Sequence, residues 1–211
     1  MTPEAAARYK AKLGEYLPEV SVEPVFDFMT THAVQLRITR ERLSKLGDYH
    51  MPHPGHQYHE ISINGDLEPQ YFLWVLLHEM AHLNAWLEYR QTIQPHGHEW
   101  QEHYRRLIRR HLELGAFAPE AAQLIGSYIR RIPLNHATGG RIELMLRQSG
   151  HDAMEPILVL NNLEEGDKFV LRNYPDRLFT AIEKRRTRWK CRDERTGQFF
   201  TVSGTAEVLK M

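Results

Sequence analysis

The sequence predicts an α+β protein: a mainly helical first part that carries two short strands, followed by a small antiparallel β-module. Three observations predict it. Apolar residues recur at helical spacing through most of the first 132 residues. Beyond about residue 166 the period changes to two, with turn residues between short runs. The composition, 42% hydrophobic and 26% charged over 211 residues, is that of an ordinary globular chain. The expected organisation is a first domain over residues 1–134, a linker or unassigned stretch over 135–165, and a β-module over 166–211.

Residues 4–17 read as an amphipathic helix with Ala6, Tyr9, Leu13 and Leu17 on one face, ended by Pro18. Residues 32–40 alternate apolar and polar, as a half-buried strand does, and a Gly/Pro/His-rich stretch follows from Gly47 to His56. Tyr58 to Ile63 reads as a second strand, closed by the turn signal Asn64-Gly65-Asp66. Glu68-Pro69 opens the next helix, since proline suits a first helical position. It runs to about Arg90 and is apolar nearly all round, which marks it as buried. A third helix begins near His96-Gly97, carries Trp100, Tyr104, Leu107, Ile108 and Leu112, and stops at Gly115. A fourth runs from Pro119 through Leu124, Ile125, Tyr128, Ile129 and Ile132 to Pro133. Asn135 to Gly140 reads as a linker, and residues 141–165 are ambiguous. Lys168–Leu171, Leu178–Glu183, Arg188–Arg192 and Phe199–Val202 read as strands, with Tyr174-Pro175-Asp176 and Arg195-Thr196-Gly197 as turns.

Charge and cysteine usage narrow the classes. Lys+Arg and Asp+Glu both number 27, so net charge argues for no particular partner. The single Cys191 cannot form an internal disulfide or an all-cysteine zinc site. The first residues lack the apolar core of a signal peptide, and no apolar run approaches the roughly 18 residues of a membrane span. The expectation is a soluble cytoplasmic protein with no membrane partner. Oligomeric state is not legible. The unusual count is 13 histidines, and they cluster.

The chemistry sits on the buried helix. His78-Glu79-Met80-Ala81-His82 is the His-Glu-x-x-His pattern. Residues four apart share a helix face, so both imidazoles can reach one Zn2+, while Glu79, rotated by one residue, can reach a water on it. Zinc lowers the pKa of that water, the glutamate takes its proton, and the water attacks a carbonyl polarised by the metal. The competing reading is a hydrogen-bonded polar cluster. It is disfavoured because three polar groups buried unpaired would cost about 1–3 kcal/mol each, more for the carboxylate, and a metal removes that cost.

A hydrolytic zinc site needs a third protein ligand and one open position. His96, His98, Glu99, Glu102, His103 and His111 lie downstream. His96 precedes a glycine at a helix start, where its side chain can turn back. His98 competes with it, and Glu99 or Glu102 would complete a different ligand set. His50, His53, His56 and His59 read as solvated loop residues, with a second metal site or a share in the cleft as the sharper alternative; His103 and His111 read as lying on helix surfaces.

This zinc motif followed by His96-Gly97-His98-Glu99-Trp100 resembles the SprT/Spartan metalloprotease family over roughly residues 20–115. The resemblance implies a zincin-like catalytic domain with the motif helix beside a small sheet. It implies His78, His82 and His96 as zinc ligands, Glu79 as catalytic base, and Trp100 as an anchor of the next helix. It implies peptide-bond hydrolysis on a protein or peptide substrate, with DNA-associated or DNA-crosslinked proteins as the substrate class. The chain departs from the family in lacking the cysteines of the zinc ribbon many members carry; the β-module stands in that place.

That module is basic. From Lys168 to Arg195 ten basic residues face four acidic ones, with Phe169, Tyr174, Phe179 and Trp189 interleaved. Lys184, Arg185, Arg186, Arg188, Lys190 and Arg192 are therefore candidate nucleic-acid contacts on an SH3-like barrel. The alternative is a solvated basic face over an aromatic core. Alternation places Trp189 and Cys191 opposite Arg188, Lys190 and Arg192. Arg105, Arg106, Arg109 and Arg110 either extend the surface or form the solvated side of the third helix. A second functional class also stays open: a metal-stabilised nucleic-acid- or protein-binding protein without proteolytic activity. A third keeps the hydrolase with a small amide as substrate.

Overall fold

The computed structural model describes residues 1–42, 45–90, 92–130, 134, 136–148, 158–172 and 174–211. Ile132, Pro133 and Asn135, and the part of the ambiguous stretch over 149–157, lie outside the described residues. The chain is α+β and divides into two compact units, Met1–Arg147 and Gln148–Met211.

In the first unit, helix α1 (Pro3–Gly14) opens with Thr2, whose Oγ1 accepts a hydrogen bond from the Ala5 N–H, and with proline at its first position. A second helix, α2 (Glu19–Thr31), follows Pro18 directly. The sequence reading missed it, because Pro24 sits inside it where proline removes an N–H donor. Ser21, Val25 and Met29, each four apart, supply its buried face and hold it regardless.

Strands β1 (Val34–Thr39), β2 (Gly47–His50) and β3 (His59–Asn64) form a three-stranded sheet in the order β1-β3-β2, with β1 parallel and β2 antiparallel to β3. The stretch read as a Gly/Pro/His-rich loop thus contains an edge strand, β2. Asn64, read as a turn residue, ends the central strand. Ser62 and Asn64 are buried there, and Arg42 satisfies them: its Nη1 donates to Ser62 Oγ at 3.0 Å and its Nε to Asn64 Oδ1 at 2.9 Å.

Helix α3 (Pro69–Tyr89) is the centre of the first core, its buried side chains including Phe72, Leu73, Leu76, Leu77, Met80 and Leu83. Helices α4 (His98–Glu113), α5 (Pro119–Ile129) and α6 (His136–Gln148) complete the unit. The linker expected from residue 135 is corrected at α6. Thr138-Gly139-Gly140 favours helix poorly, which is why it reads as a connector. Ile142 and Leu146, one turn apart, nonetheless bury in the core, and Arg147 donates to the Tyr71 hydroxyl from Nε at 3.0 Å and Nη2 at 2.9 Å.

In the second unit, strands β4 (Lys168–Leu171), β5 (Tyr174–Lys184), β6 (Arg188–Asp193), β7 (Phe199–Ser203) and β8 (Val208–Lys210) form an antiparallel sheet in the order β7-β6-β5-β4-β8. Tyr174-Pro175-Asp176, read as a turn, belongs to β5, whose Tyr174 already pairs with Leu171. β8 was not anticipated, being only three residues long. Phe169, Phe179, Ala181, Trp189 and Cys191 form the core, and the Trp189 indole N–H donates to Asn161 Oδ1 at 3.0 Å.

Candidate metal centre

His78 and His82 lie one turn apart on α3, so both imidazoles leave the same face. The third imidazole comes from the turn before α4. The Gly97 N–H donates to the Gln94 carbonyl at 2.9 Å, with Pro95 and His96 as the two central residues. Proline first and positive φ second is the pattern of a type II turn, and His96 takes φ 58° where glycine is usual. That conformation costs roughly 1–3 kcal/mol and marks a residue held in place for its side chain. Gly97 is required beside it: a Cβ there would sit 2.9 Å from the Gln94 carbonyl oxygen.

The three Nε2 atoms converge. His78 and His82 are 3.2 Å apart, His82 and His96 3.0 Å, and His78 and His96 3.0 Å. A neutral imidazole nitrogen carries either one proton or one lone pair, so three such atoms aimed at one point sustain a single hydrogen bond at most. A tetrahedral zinc ion with nitrogens at roughly 2.0–2.1 Å sets them roughly 3.3–3.4 Å apart, which these distances match within a few tenths of an ångström. Burial, then the charges of His82 and His96, push the His78 pKa down to about 3. Burial and His96 push that of His82 down to about 4. Both are neutral at pH 7, the form that ligates metal. Trp100 covers the cluster, its ring 4.7 Å from that of His78, 5.3 Å from His82 and 4.6 Å from His96.

Glu79 is 8% exposed; its carboxylate reaches Gly47 of β2 and lines the same cleft as His82 and His96. The Tyr49 N–H hydrogen-bonds to it, and Gly47 leaves the room it occupies. Burial first, and then the negative charge of Asp48, raise its pKa to about 7. Asp48 is itself paired with Lys45 and with His50 Nε2 at 2.8 Å. Sequence reasoning missed this contribution of β2, whose only signal was Gly47-Asp48-Tyr49 beginning what looked like a loop.

Residues 17–116 match the SprT-like family. Over these 100 of the chain's 211 residues the chain is similar to that family. No curated protein and no solved structure matches the chain. The matched segment contains α2, the three-stranded sheet, α3 and α4, and with them His78, Glu79, His82 and His96.

Among the described residues, His78, His82 and His96 are the only three donors of their kind that lie within 4.8 Å of one another. The competing third ligands go elsewhere: His98 is exposed at the start of α4, and Glu102 binds Arg105 at 2.6 Å. His103 and His111, expected on helix surfaces, are buried and serve packing. His103 Nε2 meets Glu88 at 3.2 Å, and His111 Nδ1 meets Ser21 Oγ at 2.9 Å. Arg105 is likewise buried, whereas Arg106, Arg109 and Arg110 are exposed. His59 packs between Tyr49 and Trp86, and His50, His53 and His56 line a separate cavity of about 250 Å³ with Arg37 and Glu60.

On the β-unit, Lys184, Arg185, Arg186, Arg188 and Arg192 are exposed and Lys190 is half-buried. Arg188, Lys190 and Arg192 share one face of β6 and pair in register with Ser203, Thr201 and Phe199 of β7. Arg185 and Arg192 are partly neutralised by Glu183 and Glu194. The Lys190 ammonium lies 4.2 Å over the exposed Phe199 ring.

Proposed function

We propose that residues 17–116 are a zinc-dependent metallopeptidase domain of zincin-like fold. The observation that carries this reading is the convergence of three imidazole nitrogens beside a buried, proton-accepting carboxylate. His78, His82 and His96 would hold the zinc ion, which when bound supplies a water of lowered pKa and polarises a carbonyl. Glu79 takes the proton of the attacking water. The same carboxyl group would then hand that proton to the departing amine, acting first as base and then as acid. The cleft beside α3, about 530 Å³, is lined by Asp48, Tyr49, Glu79, Trp86 and Arg90 and has the volume to hold a short stretch of polypeptide. Replacing Glu79 by Gln should leave one zinc per chain and lower peptide turnover on the order of 10²-fold or more. Full turnover in that variant would refute the assignment.

The second reading, a structural metal in a binding protein, requires four protein ligands. Three donors converge among the described residues, which favours the hydrolase. The basic face of β6 supports a nucleic-acid contact by the β-unit, which we read as an SH3-like barrel. With it the substrate would be a DNA-associated protein and the setting the cytoplasm. Duplex or single-stranded DNA binding that weakens steeply with salt tests that part independently.

A further inference from the structure

Arg90 caps the C-terminal end of α3 and lines the cleft that also holds His82 and His96. Its backbone has φ 57° and ψ −132°, outside the wells that a residue with a side chain ordinarily adopts. Glycine would hold this helix end without strain, so the arginine is kept for its side chain. That side chain is placed rather than free: its guanidinium lies 4.2 Å over the Trp86 ring, and Trp86 itself packs against His59. A guanidinium held over a ring by its charge keeps its N–H donors for an acceptor elsewhere.

Of the other charged groups lining the cleft, Asp48 is held by Lys45 and His50, and the Glu79 carboxylate accepts the Tyr49 N–H. Arg90 has no acidic partner among the described residues. Beside it the cleft wall is apolar, formed by Met51, Ala85, Trp86, Ile93 and Pro95. A fixed, planar, unmatched guanidinium next to an apolar wall is a receptor for a carboxylate adjoining an apolar group.

We propose that Arg90 sets the substrate preference of this cleft: it receives a carboxylate, from an Asp or Glu side chain or from a chain terminus, while a neighbouring apolar side chain packs against Met51, Trp86 and Ile93. The inference rests on the reading that the cleft takes polypeptide.

The test uses the zinc-loaded full chain carrying Glu79→Gln, so that binding is read without turnover. Labelled, C-terminally amidated apolar peptides carry one Glu, Gln or Lys scanned through each position, and a matching set ends in a free carboxylate. Anisotropy should show Glu at one position binding about three- to fivefold tighter than Gln, with Lys weaker than both and the differences fading at high salt. A gain for the free-carboxylate set alone would assign the terminus as the source. Adding Arg90→Gln should erase the preference, and Arg90→Glu should reverse it toward Lys, which a merely structural arginine would not do. Equal affinities across the scan, a preference that survives Arg90→Gln, or no peptide binding at all would overturn the proposal. Cleavage by the unsubstituted chain separates the two readings: cleavage without charge preference ends the role of Arg90 alone. Carboxylate-selective binding without any cleavage ends the peptidase reading alone.

Discussion

A Cβ placed on Gly47 would lie 2.9 Å from Oε1 of Glu79, so the edge strand β2 passes directly against the carboxylate that the motif helix presents. The same Cβ would meet Val75 Cγ1 at 2.7 Å, and neither neighbour is the free end of an exposed chain. Gly47→Ala should therefore cost about 1–3 kcal/mol of stability by overpacking. It should also lower turnover while leaving the zinc content unchanged, because the displaced group is Glu79 and not a ligand. Zinc content and kcat measured on the same preparation check this; loss of metal together with activity would contradict it.

The turn that delivers His96 is similarly tight. Gly97→Ala places a methyl against the Gln94 carbonyl oxygen and should weaken zinc binding, measured by chelator competition, without abolishing the fold. His96→Ala removes a donor outright and should weaken it further. Zinc affinity unchanged in both variants would show that this turn does not serve the metal.

Trp100 separates packing from hydrogen bonding. Its indole N–H is buried with no hydrogen-bond partner among the described residues, while its ring covers all three imidazoles. Trp100→Phe should be tolerated within about 1.5 kcal/mol, since no bond is lost. Trp100→Ala should cost about 3–5 kcal/mol through the cavity it leaves and loosen the triad. Urea unfolding of the two variants measures the contrast, and equal costs would refute it.

His111 makes stability fall in acid. It is 1% exposed, and burial pushes its pKa down to about 4, against an ordinary value near 6.5. The unfolded chain therefore takes up a proton that the folded one refuses. Stability is full above pH about 6.5, falls as pH drops toward about 4 by up to about 1.4 kcal/mol per unit, and then levels. Unfolding free energies between these limits should lose this slope in His111→Gln. A slope unchanged in the variant would assign the acid sensitivity to other groups.

Much of the site was legible because helical spacing is rigid. His78 and His82 share a face for any helix, and a glycine after His96 signals a turn there. What the sequence hid was set by tertiary contact. β2 is four residues long, and Gly47 is informative only once Glu79 is known to lie beneath it. Pro24 and Gly139-Gly140 argue locally against α2 and α6, and buried Val25, Met29, Ile142 and Leu146 override them. His103 and His111 look like surface residues until Glu88 and Ser21 are placed beside them. In the β-unit the alternation held: Trp189 and Cys191 turn inward while Arg188 and Arg192 turn outward.

Metal stoichiometry together with zinc X-ray absorption on the purified chain tests directly whether the three imidazoles hold a catalytic ion. The chain should carry one zinc, bound by three imidazole nitrogens and an exchangeable oxygen, with occupancy lost when His78, His82 or His96 is replaced by Ala. A chain that binds no stoichiometric metal, or one whose ion has four protein ligands, would contradict it.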